Sequence, residues 1–393
     1  MNAQESDLGI SLVRDDLLFR LQRRVGLIPD HGLALARRAI FFALLAWLPI
    51  AVWAVFNGRA LPGTVGEPLL QHFGIHVRFL VVVPLLILGE GTAHALTTRL
   101  IPCFQTSGLV REGQREAFRE ILLGMVRLRN STLPWVVIAA IIAAALGIQP
   151  THEAEHELVW SNVSAGQESF QLGFGGWWTA YVARPVFIAL ICAWIWRLVL
   201  LFLLLKRVAA LDLAIVPTHP DRAGGLGFLE KLPMAFSLFA FALSAVIASR
   251  LAHEVIYHGV HVQSLKAQVG LFLVVLILLC LAPLIVFIPV LARAKRRALI
   301  DYGALVGEHG RLVHRRWILR EKLDDQPLLE APEIGPVADT VSLYESVARM
   351  RVAPIGKSAL LAIALPAAIP MLALFATEVP IKELLMKVLG TLV

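Results

Sequence analysis

Apolar residues in this chain gather into seven long runs separated by polar gaps. The runs lie near 39–57, 76–97, 133–149, 177–205, 233–255, 268–292 and 356–377. Each approaches or exceeds the ~20 residues that a helix needs to cross the hydrocarbon of a bilayer. The pattern predicts an all-α fold: a polytopic transmembrane helix bundle of about seven spans with helical cytoplasmic extensions. It divides the chain into a basic N-terminal segment (1–38), a six-span bundle (39–292) with polar segments at 98–132 and 206–232, a helical segment (293–355), and a final part (356–393). The final part holds the last apolar run and a short amphipathic helix carrying Lys382 and Lys387. Pro366 and Pro370 are expected to interrupt the last run, which leaves crossing and re-entry both open.

The polar gaps carry helical periodicity of their own. Between 109 and 129, Phe118, Ile121, Leu122, Met125 and Val126 share one face, with Arg115, Arg119, Arg127 and Arg129 among the polar positions. Such a helix either lies on the inner leaflet or packs beneath the bundle. The sixth run is expected to continue past 292 as one long helix. After a Pro- and acid-rich linker, a second helix around 338–352 leads into the last run.

Composition agrees with a membrane protein. The chain is 58% hydrophobic and 17% charged, with a mean hydropathy of +0.72, against about 25% charged residues in soluble proteins. A pI near 9.6 invites a nucleic-acid reading, but the basic residues flank apolar runs, where they suit anionic lipids at the cytoplasmic face. No nucleic-acid partner is expected; a homo-oligomer is compatible with the sequence. Of the 36 Lys and Arg residues, 28 fall in one alternating set of gaps: six before the first run, six in 98–132, four in 206–232, and twelve from 293 through Lys357. The opposite set holds four: Arg59, Lys266, Lys382 and Lys387. By the positive-inside rule a multi-pass protein with a cytoplasmic N-terminus is expected. The first run is expected to remain as an anchor and not to be cleaved as a signal peptide. Cys103, Cys192 and Cys280 are far apart and form neither a disulfide framework nor a CxxC site.

Four basic residues, Arg78, Arg184, Arg197 and Arg250, fall inside or at the ends of apolar runs. Arg78 suits an edge anchor. Glu90, in GEGTAH with His94 one turn on, is a carboxylate inside a run, where ionisable residues are costly and mark function by default. Gly89 and Gly91 would let a neighbouring helix approach closely. Glu90 precedes Arg99 by nine residues and Arg197 precedes Lys206 by nine, so both sit about 13 Å from the basic edge. They are expected to pair, either as a register-fixing ion pair or as part of an ion pathway. Toward the other side, Arg184 follows two tryptophans, and Arg250 lies near His253 and Glu254. These four could line an outer vestibule, or Arg250 and Glu254 could form a local ion pair. His152, Glu153 and His156 spell HExxH, but in an acidic loop without the apolar helix of a zinc protease, so they are a weak metal candidate. No catalytic residue and no cofactor are expected.

The segment THPDRAGGLGFL lacks the GK[ST] of a phosphate-binding loop. Its glycines permit positive φ and a backbone-amide nest, so His219, Asp221, Arg222, Gly224 and Gly225 form either a rigid turn or a ligand or gating loop. From Trp196-Arg197 through this loop, and again from Ser342-Leu343-Tyr344-Glu345 through Arg351, Pro354 and VPIKELLMKVLG, the chain resembles a family of bacterial polytopic inner-membrane proteins with an HPDxAGGLGFL-type cytoplasmic loop. The resemblance covers roughly the C-terminal half and brings no activity with it. It implies that Arg197, His219, Asp221, Gly224 and Gly225 are family features. Two functions follow from the sequence: a channel or transporter for an ion or small anionic solute, or a membrane scaffold or sensor acting through its cytoplasmic helices. An intramembrane enzyme would need a nucleophile or metal shell near Glu90 and His94, which the sequence does not supply.

Overall fold

The computed structural model describes residues 10–14, 16–29, 32–61, 68–147, 159–161, 172–321 and 335–376. Helix dominates and no strand occurs among these residues. Eleven helices organise the described residues: α1 Leu17–Arg24, α2 Leu35–Phe56, α3 Phe73–Thr106, α4 Arg115–Asn130, α5 Leu133–Gly147, α6 Phe174–Ala209, α7 Ser237–His258, α8 Val262–Ile285, α9 Ile288–Val313, α10 Gly335–Ala348 and α11 Lys357–Ala376. A tight 3-10 run, Gly227–Phe236, leads into α7.

Seven helical stretches are long and apolar enough to cross a membrane: α2, α3, α4 running on into α5 (Glu112–Gly147), α6, the 3-10 run with α7 (Gly227–Tyr257), α8 and α11. They match the seven apolar runs, and the protein is a multi-pass helical membrane protein. The central helices are α3 and α7: α3 packs on α2, on α6 and on the 3-10 run before α7, while α7 packs on α3 and α11. Their common core holds Phe79, Leu86, Trp194, Phe236 and Phe239. Many apolar side chains on the rims of α2, α5 and α8 remain exposed, among them Phe41, Val136, Leu271 and Val275. That outward apolar surface is what a lipid-facing perimeter requires.

Two expectations change and one left open is decided. Helix α8 does not run on into α9: the chain breaks at Val286–Phe287 and restarts at Ile288. Pro289 at the start of α9 suits a helix N-terminus, and Phe287 is buried against Phe104, so packing fixes the break. The prolines of α11 do not interrupt it. The helix is continuous over 20 residues and lies along α7, with Ser358 beside Glu230 at one end and Leu374 in a cluster with Leu251 at the other. Between the two prolines Ser244 Oγ donates to the Ala367 carbonyl (2.5 Å), the kind of contact by which neighbouring helices tolerate transmembrane proline. Finally, α4 starts at Arg115, and its apolar face packs on the basic end of α6, so it lies beneath the bundle.

At that basic end α9 and α10 pack on each other as an α-hairpin. Residues 10–14 and 16–28 tuck under the bundle, burying Ile10, Leu12, Val13, Phe19 and Ile28. Asp16 caps α1 by accepting from the Phe19 amide (2.7 Å).

Candidate functional site: a buried charge cluster

Glu90 sits on α3 where two glycines thin the helix. A Cβ at Gly89 would lie 2.9 Å from the Trp194 ring of α6, and one at Gly91 would run into Leu35 of α2. The missing side chains let α2 and α6 close on the carboxylate from either side. Trp194 is locked by its indole N–H, which donates to the Leu86 carbonyl (3.0 Å). One turn further along α6, Arg197 places its guanidinium 5.3 Å from the centre of that ring.

The carboxylate of Glu90 accepts from two arginines, one per oxygen. Arg197 Nη2 donates to Oε1 (2.8 Å) and Arg38 Nη1 to Oε2 (2.5 Å). All three residues are essentially dry, at 2% (Arg38), 1% (Glu90) and 3% (Arg197) exposure. Arg38 stands four positions into α2 and is held from below by Gln22 of α1, whose Oε1 accepts from Arg38 Nε (2.5 Å). The fourth charge is Asp16, whose Oδ2 lies 3.4 Å from Arg197 Nη2. Burial pushes the Asp16 carboxyl above the usual carboxylate range, against the downward pull of Arg197. Two further N–H positions of Arg197, Nε and Nη1, are buried without a hydrogen-bond partner among the described residues.

Two arginines thus face two carboxylates in a space closed by residues 10–28. His94 adds a tie to the same segment, its Nδ1 lying 2.7 Å from Ser11 Oγ, while Arg129 Nη1 of α4 donates to the Ser11 carbonyl (2.6 Å). The structure therefore brings Glu90, His94 and Arg197 together. Two participants, Arg38 and Asp16, were not legible in the sequence: Arg38 reads as one more flanking cation, and Asp16 as a polar residue in a basic tail. The usable signal for Asp16 was its position before the apolar Leu17-Leu18-Phe19, as a helix N-cap.

The glycine-rich loop is a closed turn. Asp221 fills its own amide nest, accepting from the N–H groups of Ala223 (2.8 Å), Gly225 (3.2 Å) and Gly227 (2.7 Å). Partial burial raises the Asp221 carboxyl, but these amides and His219 outweigh it and hold it below the usual range. Positive φ at Arg222, Gly224 and Gly225 shapes the turn. Arg351, just before α11, clamps it: its amide donates to the Arg222 carbonyl (2.7 Å), its Nη2 to the Asp221 carbonyl (2.9 Å), and it pairs with Glu230.

At the opposite end Arg250 pairs loosely with Glu254 (3.4 Å) along α7. His253 stacks on His72, with ring centroids 5.5 Å apart. Arg184 lies on α6, and α3 packs against both α6 and α7. Arg78 turns inward over Phe187 (5.5 Å) instead of simply edging the bundle. Cys280 is buried, and Cys103 and Cys192 are half-buried free thiols. His152, Glu153 and His156 lie outside the described residues, as do Lys382 and Lys387; among the described residues no metal-competent group of His, Cys, Asp and Glu occurs. Compared with protein-family models, with curated proteins and with solved structures, the chain matches none.

Proposed function

We propose that this protein passes an ion or small anionic solute across a bacterial inner membrane, as a channel or transporter, with its N-terminus on the cytoplasmic side. The observation that carries the reading is the Arg38–Glu90–Arg197 cluster. Taking charges out of water costs several kcal/mol per ion even after relaxation, so a four-charge group between spans is an expensive way to hold helices together. It also leaves Arg197 Nε and Nη1 without a hydrogen-bond partner among the described residues, which a purely structural clamp has no reason to do. The N-terminal segment covers the cluster, which suits a closed state. Anionic lipids at the basic face are part of the proposal. A shallow groove between α4 and the end of α6 carries Arg127 and Arg207 beside Ile121 and Leu123, pairing phosphate-binding charge with apolar wall.

A second reading, a scaffold or sensor, rests on the α9–α10 hairpin. Ile300, Trp317 and Ile318 stand exposed there, a surface that suits a partner or a second copy. Purified protein in liposomes, loaded with small anions and assayed under ion gradients, decides between the two. Transport requires flux that Arg197→Ala and Glu90→Gln abolish, whereas no flux under any gradient leaves the scaffold.

A further inference from the structure

We infer that the Arg197 guanidinium is a binding site for a small monocarboxylate, and that Asp16 occupies it in this structure as a tethered competitor. The inference rests on the transport reading and names its solute class. Three of the four charges, Arg38, Glu90 and Arg197, belong to membrane-length helices, whereas Asp16 comes from the short non-spanning α1. The three alone sum to one positive charge, so the bundle by itself calls for one monovalent anion. The group that supplies it is a carboxylate at the start of a short element outside the spans.

Asp16 also holds its place weakly. Its contact with Arg197 is the longest of the ion pairs in the cluster, at 3.4 Å against 2.8 and 2.5 Å to Glu90. Nη2 is shared between Asp16 and Glu90, while Nε and Nη1 find no hydrogen-bond partner among the described residues. A planar guanidinium matches a carboxylate through two parallel N–H groups, and a free carboxylate would use donors that the tethered one leaves idle. Burial works against the charge of Asp16, which loosens it further. A tethered group acts at an effective concentration of about millimolar or more, so Asp16 suppresses occupancy by a free anion until residues 10–28 move. Polar ties between those residues and the bundle include Asp16 to Arg197, Gln22 to Arg38, Ser11 to His94 and Arg129, and Arg20 to the Asn130 carbonyl, beside the buried apolar contacts of Ile10, Leu12 and Val13.

The test is binding, measured without flux, so that it fails separately from the transport reading. Full-length protein in nanodiscs is titrated with acetate, exchanged for chloride at constant ionic strength, and Tm is followed. In Asp16→Asn, acetate is expected to raise Tm saturably, with an apparent affinity at least about tenfold tighter than in wild type. The rise should vanish in the double variant Asp16→Asn/Arg197→Gln. No acetate response in a folded Asp16→Asn protein, or a response that survives loss of Arg197, overturns the inference. If Asp16→Asn does not fold, hydrogen exchange on wild type decides. Acetate should accelerate exchange across residues 16–24, and unchanged protection at saturating acetate refutes displacement.

Discussion

Breaking the Glu90–Arg197 pair has a cost that depends on the charges left behind. Glu90→Gln leaves Arg38 and Arg197 facing Asp16 alone, a net charge of plus one in a site that is 1–3% exposed. Arg197→Gln leaves Arg38 against two carboxylates, a net of minus one. Either single change strands a buried charge, at about 3–5 kcal/mol. The double variant leaves Arg38 opposite Asp16, which is neutral, and should cost about as much as one single change. The coupling energy is therefore about 3–5 kcal/mol, at or above the upper end for residues in contact. A neutral interhelical hydrogen bond in a membrane averages only ~0.6 kcal/mol, so the two explanations are well separated. Reversible unfolding in mixed detergent micelles, followed by fluorescence of the nine tryptophans, gives the four free energies. Additivity of the two single changes within ~0.5 kcal/mol would falsify the buried-pair reasoning.

Other perturbations test the rest of the molecule. Asp221→Ala removes three amide contacts from the glycine-rich turn and should cost about 1–3 kcal/mol, read as faster hydrogen exchange over 216–230. Because the folded Asp221 carboxyl lies below its ordinary value of 3.8, its stabilisation should be complete above that value and fade as pH falls through the lower folded one; loss of protection already at pH 6 would contradict this. Gly224→Ala places a Cβ 2.5 Å from Ile215 and 3.2 Å from Met350 at a φ of +66°, so it should loosen the approach to α11 and expose Arg351 to proteolysis. Arg127→Gln/Arg207→Gln should reduce co-purifying anionic phospholipid severalfold without altering Tm in neutral detergent; equal retention would remove the proposed headgroup contact.

The seven spans were fully legible in the sequence because bilayer physics is local: a run of about twenty apolar residues has to be helical wherever it lands. The pairing of Glu90 with Arg197 was legible for a related reason. Depth along a helix is counted from its basic edge, so two charges at equal depth on different spans are natural partners. What lay beyond the sequence depends on packing. The glycine gaps at 89 and 91 show that a close approach is allowed, but only the fold reveals that Trp194 and Leu35 fill them. Arg38 and Asp16 join Glu90 and Arg197 across separations of 52 and 181 residues, which no periodicity encodes.

Local rules even misled where tertiary contacts outweighed them. Two prolines predicted a broken α11, yet packing along α7 keeps it whole; the sixth run was expected to continue as one helix, yet the chain breaks at Val286–Phe287, where Pro289 follows and Phe287 buries against Phe104. The amino-acid sequence was enough to mark which segments are long and apolar enough to enter a membrane. The tertiary structure decided which charges meet, because a buried ion is stable only where its partner's helix can come close enough to replace the water it has lost.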